Sequence, residues 1–107
     1  MNDADIEKAA KILLRNRLHP GGLEGLPDTV TPSDESTAYN IQEEVNRLLT
    51  EAGYGSRIGY KIGCTTLVMQ EFLKIRHPCF GVLHNEKVYD SPASLAHHHF
   101  QRAGVEC

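Results

Sequence analysis

A lysine with a glycine two places to either side stands at the centre of Arg57-Ile58-Gly59-Tyr60-Lys61-Ile62-Gly63-Cys64-Thr65-Thr66. Read as a strand, the segment alternates between two faces. Ile58, Tyr60, Ile62 and Cys64 share an apolar face that should pack on a core, and Arg57, Gly59, Lys61 and Gly63 share the other. Bare backbone on both sides of the ammonium lets a small molecule approach it. A lysine in such a niche can anchor a carboxylate or an oxo group. If it is also desolvated it can act as acid or base, because burial lowers a lysine pKa. A solvent-facing lysine on an edge strand, with glycines marking bulges, produces the same pattern. Alternation alone does not separate the two.

Other reactive side chains carry weaker signals. Cys64, Cys79 and Cys107 are widely spaced and form no CxxC pair, which argues against a disulfide framework or a cysteine-rich zinc site and for free thiols. His97, His98 and His99 could offer two imidazoles on one face of a strand, but three consecutive rings do not converge on one ion without a bend, so a solvated connection is expected. His77 precedes Pro78 in a turn, with no serine or acid at a spacing that would complete a triad. Gly21, Gly22 and Gly25 lack the strand-to-helix setting of a phosphate loop.

Something must hold these groups in place. Ile6, Ala9, Ala10, Leu13, Leu14 and Leu18 recur at helical spacing, with Asn2 or Asp3 as the cap and His19-Pro20-Gly21-Gly22 as the stop. Residues 19–32 hold three prolines and three glycines and read as a loop. A second helix buries Ala38, Ile41, Val45, Leu48, Leu49 and Ala52 while Glu43, Glu44, Asn46 and Arg47 face away. Ser33 or Thr31 would cap it, Asp34 and Glu35 would favour its positive end, and Gly53 would close it. Beyond residue 56 the character changes. Thr66–Leu73 suits a short helix, "CFGVL" and "KVYD" suit short strands around His84-Asn85-Glu86, residues 91–99 suit a loop, and "AGVEC" suits the opening of another strand. Two amphipathic helices followed by strands predict an α+β fold, with a helical region over residues 1–56 and the start of a mixed, β-rich core over 57–107.

Composition narrows the function classes. A net charge of -3 and only 7% aromatic residues give no basic surface for nucleic acid and no base-stacking platform. No apolar run approaches the roughly 20 residues of a membrane span. The opening "MNDADIEKAA" is acidic and lacks the apolar centre of a signal peptide, so the cytosol is the expected location.

In combination, "GYKIGCTTLVMQ", "HPCFGVL", "GVEC" and the helical "AYNIQ" over residues 38–42 resemble the 2-keto-4-pentenoate hydratase family of the fumarylacetoacetate hydrolase-like superfamily, from about Ala4 to Cys107. The resemblance implies a hydro-lyase of aromatic catabolism that adds water to 2-hydroxypenta-2,4-dienoate (2-oxopent-4-enoate), giving 4-hydroxy-2-oxopentanoate. It implies a Mg²⁺ or Mn²⁺ ion that chelates the carboxylate and 2-oxo group of the substrate, and a homo-oligomer. The ion would polarise the carbonyl and make the remote carbon electrophilic. Lys61 matches the family's motif lysine beside the substrate, and Gly59, Gly63, Cys79 and Phe80 would form the substrate niche. Related hydratases often carry an aspartate at Cys79; the cysteine marks either a different substrate or a small buried apolar residue. Glu106 matches the first glutamate of an E-x-E metal motif whose middle position is Cys107. The second glutamate, a third acid and the rest of the barrel-like sheet would follow. The chain therefore reads as an N-terminal fragment, inactive alone, that holds no divalent cation tightly and ends on a frayed Glu106. The 4-oxalocrotonate decarboxylase type shares the same metal and lysine setting, and a non-catalytic packing module is the remaining alternative.

Overall fold

A computed structural model of the chain describes residues 1–106. Cys107, one of the three expected free thiols, lies outside the described residues. Among the described residues, three α-helices and one two-stranded antiparallel sheet make an α+β fold: α1 (Asp3–Leu18), α2 (Glu35–Leu49), β1 (Arg57–Gly63), α3 (Leu67–Leu73) and β2 (Cys79–His84).

Helix α1 begins as its sequence dictates. The Asp5 amide donates to Asn2 Oδ1 at 2.9 Å and the Asn2 amide donates to Asp5 Oδ2 at 3.2 Å, a reciprocal cap that satisfies two otherwise free donors. Ala9, Ala10 and Ile12 of α1 meet Ile41 of α2 and Val30, which a short 3₁₀ turn at Asp28–Val30 turns inward. Ile6, Leu13, Leu26, Val45 and Leu48 pack around them. The small alanines let the helices approach closely, and the connection of residues 19–32 contributes Val30 and Leu26 to the core it was expected only to span.

Helix α2 is capped by Asp34, one place later than Ser33 and three later than Thr31. The Asp34 carboxylate accepts from the Thr37 amide at 2.8 Å and from its hydroxyl at 2.9 Å, a pair of bonds neither alternative makes. Past Leu49 the chain makes one wider π-type turn, Thr50–Tyr54, and Gly53 at φ +100° ends it as expected of the residue there. Asn46 departs from expectation. It is buried, because the sheet covers a second flank of α2 beside the stripe that faces α1.

The strands pair with Tyr60 opposite Val82, Lys61 opposite Gly81, Ile62 opposite Phe80 and Gly63 opposite Cys79, with an irregularity near Ile58. The expected short helix is present, but Thr66 stands before it as its cap, accepting from the Met69 amide. Two strand expectations fail. "KVYD" enters a 3₁₀ turn at Asn85–Lys87 and then runs unpaired, and residues 103–106 form no ladder; no described strand lies beside either one. The apolar face of β1 is also open to solvent at Ile58, Tyr60 and Ile62, since no described element covers it. Among the described residues no helix is long and apolar enough to cross a membrane.

Candidate functional site

Lys61 sits mid-strand in β1 with Gly59 and Gly63 on its own face and Gly81 directly across the ladder. A methyl group at Gly59 would meet Leu83 at 3.8 Å and one at Gly63 would meet Cys79 Sγ at 3.7 Å, while one at Gly81 would meet nothing within 4 Å. The ammonium therefore stands in a shallow trough of bare backbone. The flanking glycines leave space without being forced by it, since both approaches are ordinary contact distances.

The Lys61 side chain is 64% exposed, so the desolvation that would make it an efficient proton donor and acceptor is not supplied by these residues. Its partner is Glu106, whose carboxylate accepts a hydrogen bond from the Lys61 ammonium across 45 positions of sequence. That bond, with the attraction of the positive charge, holds the Glu106 carboxyl below the usual carboxylate range. Glu106 is thus engaged and not frayed, because the strand presents a cation where the terminal segment passes.

Lys61, Gly81 and Leu83 also border a cleft of about 790 Å³ whose other wall is α2 with Ile41, Gln42 and Asn46. Two polar atoms on that wall, Gln42 Oε1 and Asn46 Nδ2, are buried without a hydrogen-bond partner among the described residues. An orphaned acceptor and an orphaned donor beside a cation are unusual in a finished interior. Neither is flagged by the sequence, in which Gln42 reads as motif and Asn46 as surface.

The motif stretch of α2 has a visible task. The Tyr39 ring stacks on Phe80 with centroids 4.7 Å apart, the Phe80 amide donates to the Tyr39 hydroxyl at 3.4 Å, and Gln42 Nε2 donates to the Phe80 carbonyl at 2.9 Å. Alternate residues of an antiparallel strand turn both main-chain groups away from their partner strand. At Phe80, α2 satisfies both. Phe80 is consequently a docking point between helix and sheet, further ordered by the edge of the Tyr60 ring, and does not line the Lys61 trough. Cys79 is half-buried and its sulfur reaches Gly63, so it does lie at one end of the trough.

His77 has an acid after all. Its Nε2 lies 2.8 Å from Glu35 Oε2, and its Nδ1 lies 2.7 Å from the Pro78 carbonyl. Both nitrogens are occupied, so the imidazole has none free to activate Cys79. His97, His98 and His99 form an exposed 3₁₀ turn, with the rings of His98 and His99 edge to face at 4.4 Å.

The donor set does not fit the Mg²⁺ or Mn²⁺ ion that the sequence resemblance implies. Hard divalent cations need about six oxygen ligands. Glu106 brings one carboxylate, already bonded to a lysine, and no group of three or more His, Cys, Asp or Glu side chains able to hold a metal occurs among the described residues.

Fold and site together define a small α+β protein that displays a lysine–glutamate pair in a glycine-lined trough. No family model, no curated protein and no solved structure matches the chain.

Proposed function

We propose that the chain supplies the lysine half of a 2-oxo acid site and forms the N-terminal portion of a hydro-lyase of the 2-keto-4-pentenoate hydratase type, acting on 2-hydroxypenta-2,4-dienoate. The observation that carries this reading is the meeting of Lys61 and Glu106, both singled out by sequence motifs, in a trough with room for a small acid. In this role the Lys61 ammonium binds the carboxylate and 2-oxo end of the substrate, and α2 forms the facing wall of the cleft. The 2-hydroxydienoate first becomes its 2-oxo form, the enol proton being lost from oxygen as C5 gains a proton and a C3–C4 double bond remains; water then adds across that bond, its oxygen going to C4 and a proton to C3. Lys61 handles a proton during that addition, and Glu106 fixes the direction of the ammonium.

The test uses the 107-residue chain and a simple 2-oxo acid such as 2-oxopentanoate, followed by amide NMR. Shifts should concentrate at Gly59, Lys61, Gly63 and Gly81 and vanish in Lys61→Met, which keeps the stem and removes the charge. Shifts elsewhere, or shifts that survive the substitution, overturn the reading. In any longer protein that includes this segment, Lys61→Met should lower turnover by roughly 10² to 10⁴, the usual contribution of a general acid or base.

A further inference from the structure

Two of the three cysteines, distant in sequence and read there as independent thiols, are neighbours in space. Their sulfurs lie 3.4 Å apart across a separation of 15 positions. Backbone geometry brings this about. Strand β1 ends at Gly63, directly opposite Cys79 in the ladder. Regular alternation would send the next side chain to the far face with Ile62. Instead Cys64 adopts φ +55°, the left-handed conformation that residues with a side chain seldom take. That turn diverts its thiol from the Ile62 face and onto Cys79.

The surroundings hold both sulfurs in place. Gln70 of α3, itself buried, donates from Nε2 to the Cys64 carbonyl at 3.0 Å. Cys79 is fixed by the ladder on one side and by the docked Phe80 on the other. Gly63 leaves open space beside the Cys79 sulfur. Both cysteines are half-buried, so their sulfurs remain open to a small oxidant.

We propose that Cys64 and Cys79 are a redox-responsive dithiol that closes to an intramolecular disulfide on exposure to a peroxide or a low-molecular-weight disulfide. A disulfide needs its sulfurs at about 2.05 Å, so each must advance by less than about 1 Å, within the reach of small side-chain rotations. With hydrogen peroxide, one thiolate attacks an oxygen, breaks the O–O bond and becomes a sulfenic acid as hydroxide leaves and takes up a proton to form water. The second sulfur then attacks the first, and the sulfenic oxygen departs as a second water. The two sulfurs together supply the two electrons that the peroxide accepts. The hydrogen bond between the thiols, with some desolvation, pushes the pKa of Cys64 above that of an ordinary cysteine. Either sulfur can make the first attack, and the other, already in contact with it, then resolves the intermediate. Closure ties the residue that follows β1, three positions from Lys61, to the start of β2, and encloses α3 in the resulting loop.

The test uses the full chain carrying Cys107→Ser, so that only this pair can react. After treatment with equimolar hydrogen peroxide or oxidised glutathione, both free thiols should disappear from a thiol titration. Intact mass should show the loss of two hydrogens, and digestion should yield one peptide pair joining Cys64 to Cys79, released by a dithiol reductant. Cys64→Ser should instead stop at a sulfenic acid or a glutathione adduct on Cys79. Cys79→Ala keeps the small apolar volume and should likewise stop at a sulfenic acid or a glutathione adduct, here on Cys64, with unchanged circular dichroism showing that the fold is intact. Persistence of both thiols, independent oxidation of each to sulfinic acid, or disulfides between chains in place of the internal one would overturn the proposal.

Discussion

Lys61 and Glu106 define each other electrostatically, and this can be measured without any catalysis. The Lys61 hydrogen bond draws the Glu106 carboxyl below its ordinary value of 4.5. In a carbon-detected titration Glu106 should therefore ionise at lower pH than an unpaired glutamate, and in Lys61→Met it should return toward the ordinary value. A carboxylate with a depressed folded pKa adds stability above its unfolded pKa and loses it as pH falls through the folded one. Both groups are largely in water, so solvent screening keeps that contribution small and the titration itself is the useful measurement. An unchanged Glu106 curve in the variant would refute the pairing. The flanking glycines yield a gentler expectation than their pattern suggests. Alanine at Gly59 or Gly63 meets its neighbours at ordinary contact distances, so both variants should fold normally, and only ligand affinity should weaken as methyl groups enter the trough. At this scale the sequence discloses Lys61 and its glycines, because a strand's two-residue period is local. Gly81 and the Cys64 sulfur are hidden from it, since their roles arise from pairing across the ladder and from one positive φ.

The elements meet through a few polar and aromatic bridges, and the one at His77 makes the joint sensitive to pH. Glu35 opens α2 and His77 precedes β2, so their contact ties the start of the helix to the start of the strand. Both ring nitrogens face acceptors, and only the doubly protonated imidazolium can donate to both. The bond to the Pro78 carbonyl, then that to Glu35, raises the His77 pKa above its ordinary 6.5. A raised folded pKa stabilises fully below the unfolded value and ceases to do so as pH rises through the folded value. Urea denaturation should thus show a midpoint that falls from about pH 6 to pH 8, and His77→Gln should flatten that slope. An equal slope in the variant would assign the effect to another group. A second joint depends on Gly55, which runs at φ +80° against the Asn85 side chain. Gly55→Ala should cost about 1–3 kcal/mol, the usual range for a side chain forced into such a conformation, and should lower the melting temperature accordingly. Helices are legible at this scale because their period and caps are local: α1, α3 and the α2 stripe follow directly from spacing. "KVYD" misleads because strand-like composition becomes a strand only where a partner edge exists, and Asn46 misleads because its burial depends on where the sheet comes to rest.

For the whole molecule, the distribution of apolar surface decides behaviour in solution. The buried cluster belongs to α1, α2 and the turn between them, and the sheet and α3 add little to it. Outside that cluster large apolar side chains stand open: Ile58, Tyr60 and Ile62 along β1, and Leu67, Val68 and Phe72 along α3, with Phe72 77% exposed. The radius of gyration, 15.1 Å, exceeds the roughly 13 Å expected of a well-packed chain of this length. Fully burying one such side chain is worth about 1.5–3 kcal/mol, so association that covers several of them is strongly favoured. The outer edge of β1 adds unpaired main-chain groups that invite another strand. The isolated chain should therefore self-associate at micromolar concentration, seen as sedimentation species heavier than the monomer and as strong binding of a hydrophobic dye. Ile62→Lys and Phe72→Lys together place charge on both exposed faces without touching the α1–α2 core, so helical content should persist while the heavier species recede. A sharp monomeric boundary for the unmodified chain, with cooperative melting, would show that these side chains are tolerated in water as they stand. Association that survives both lysines would shift its origin to the main-chain edge, where a proline within β1 could block it.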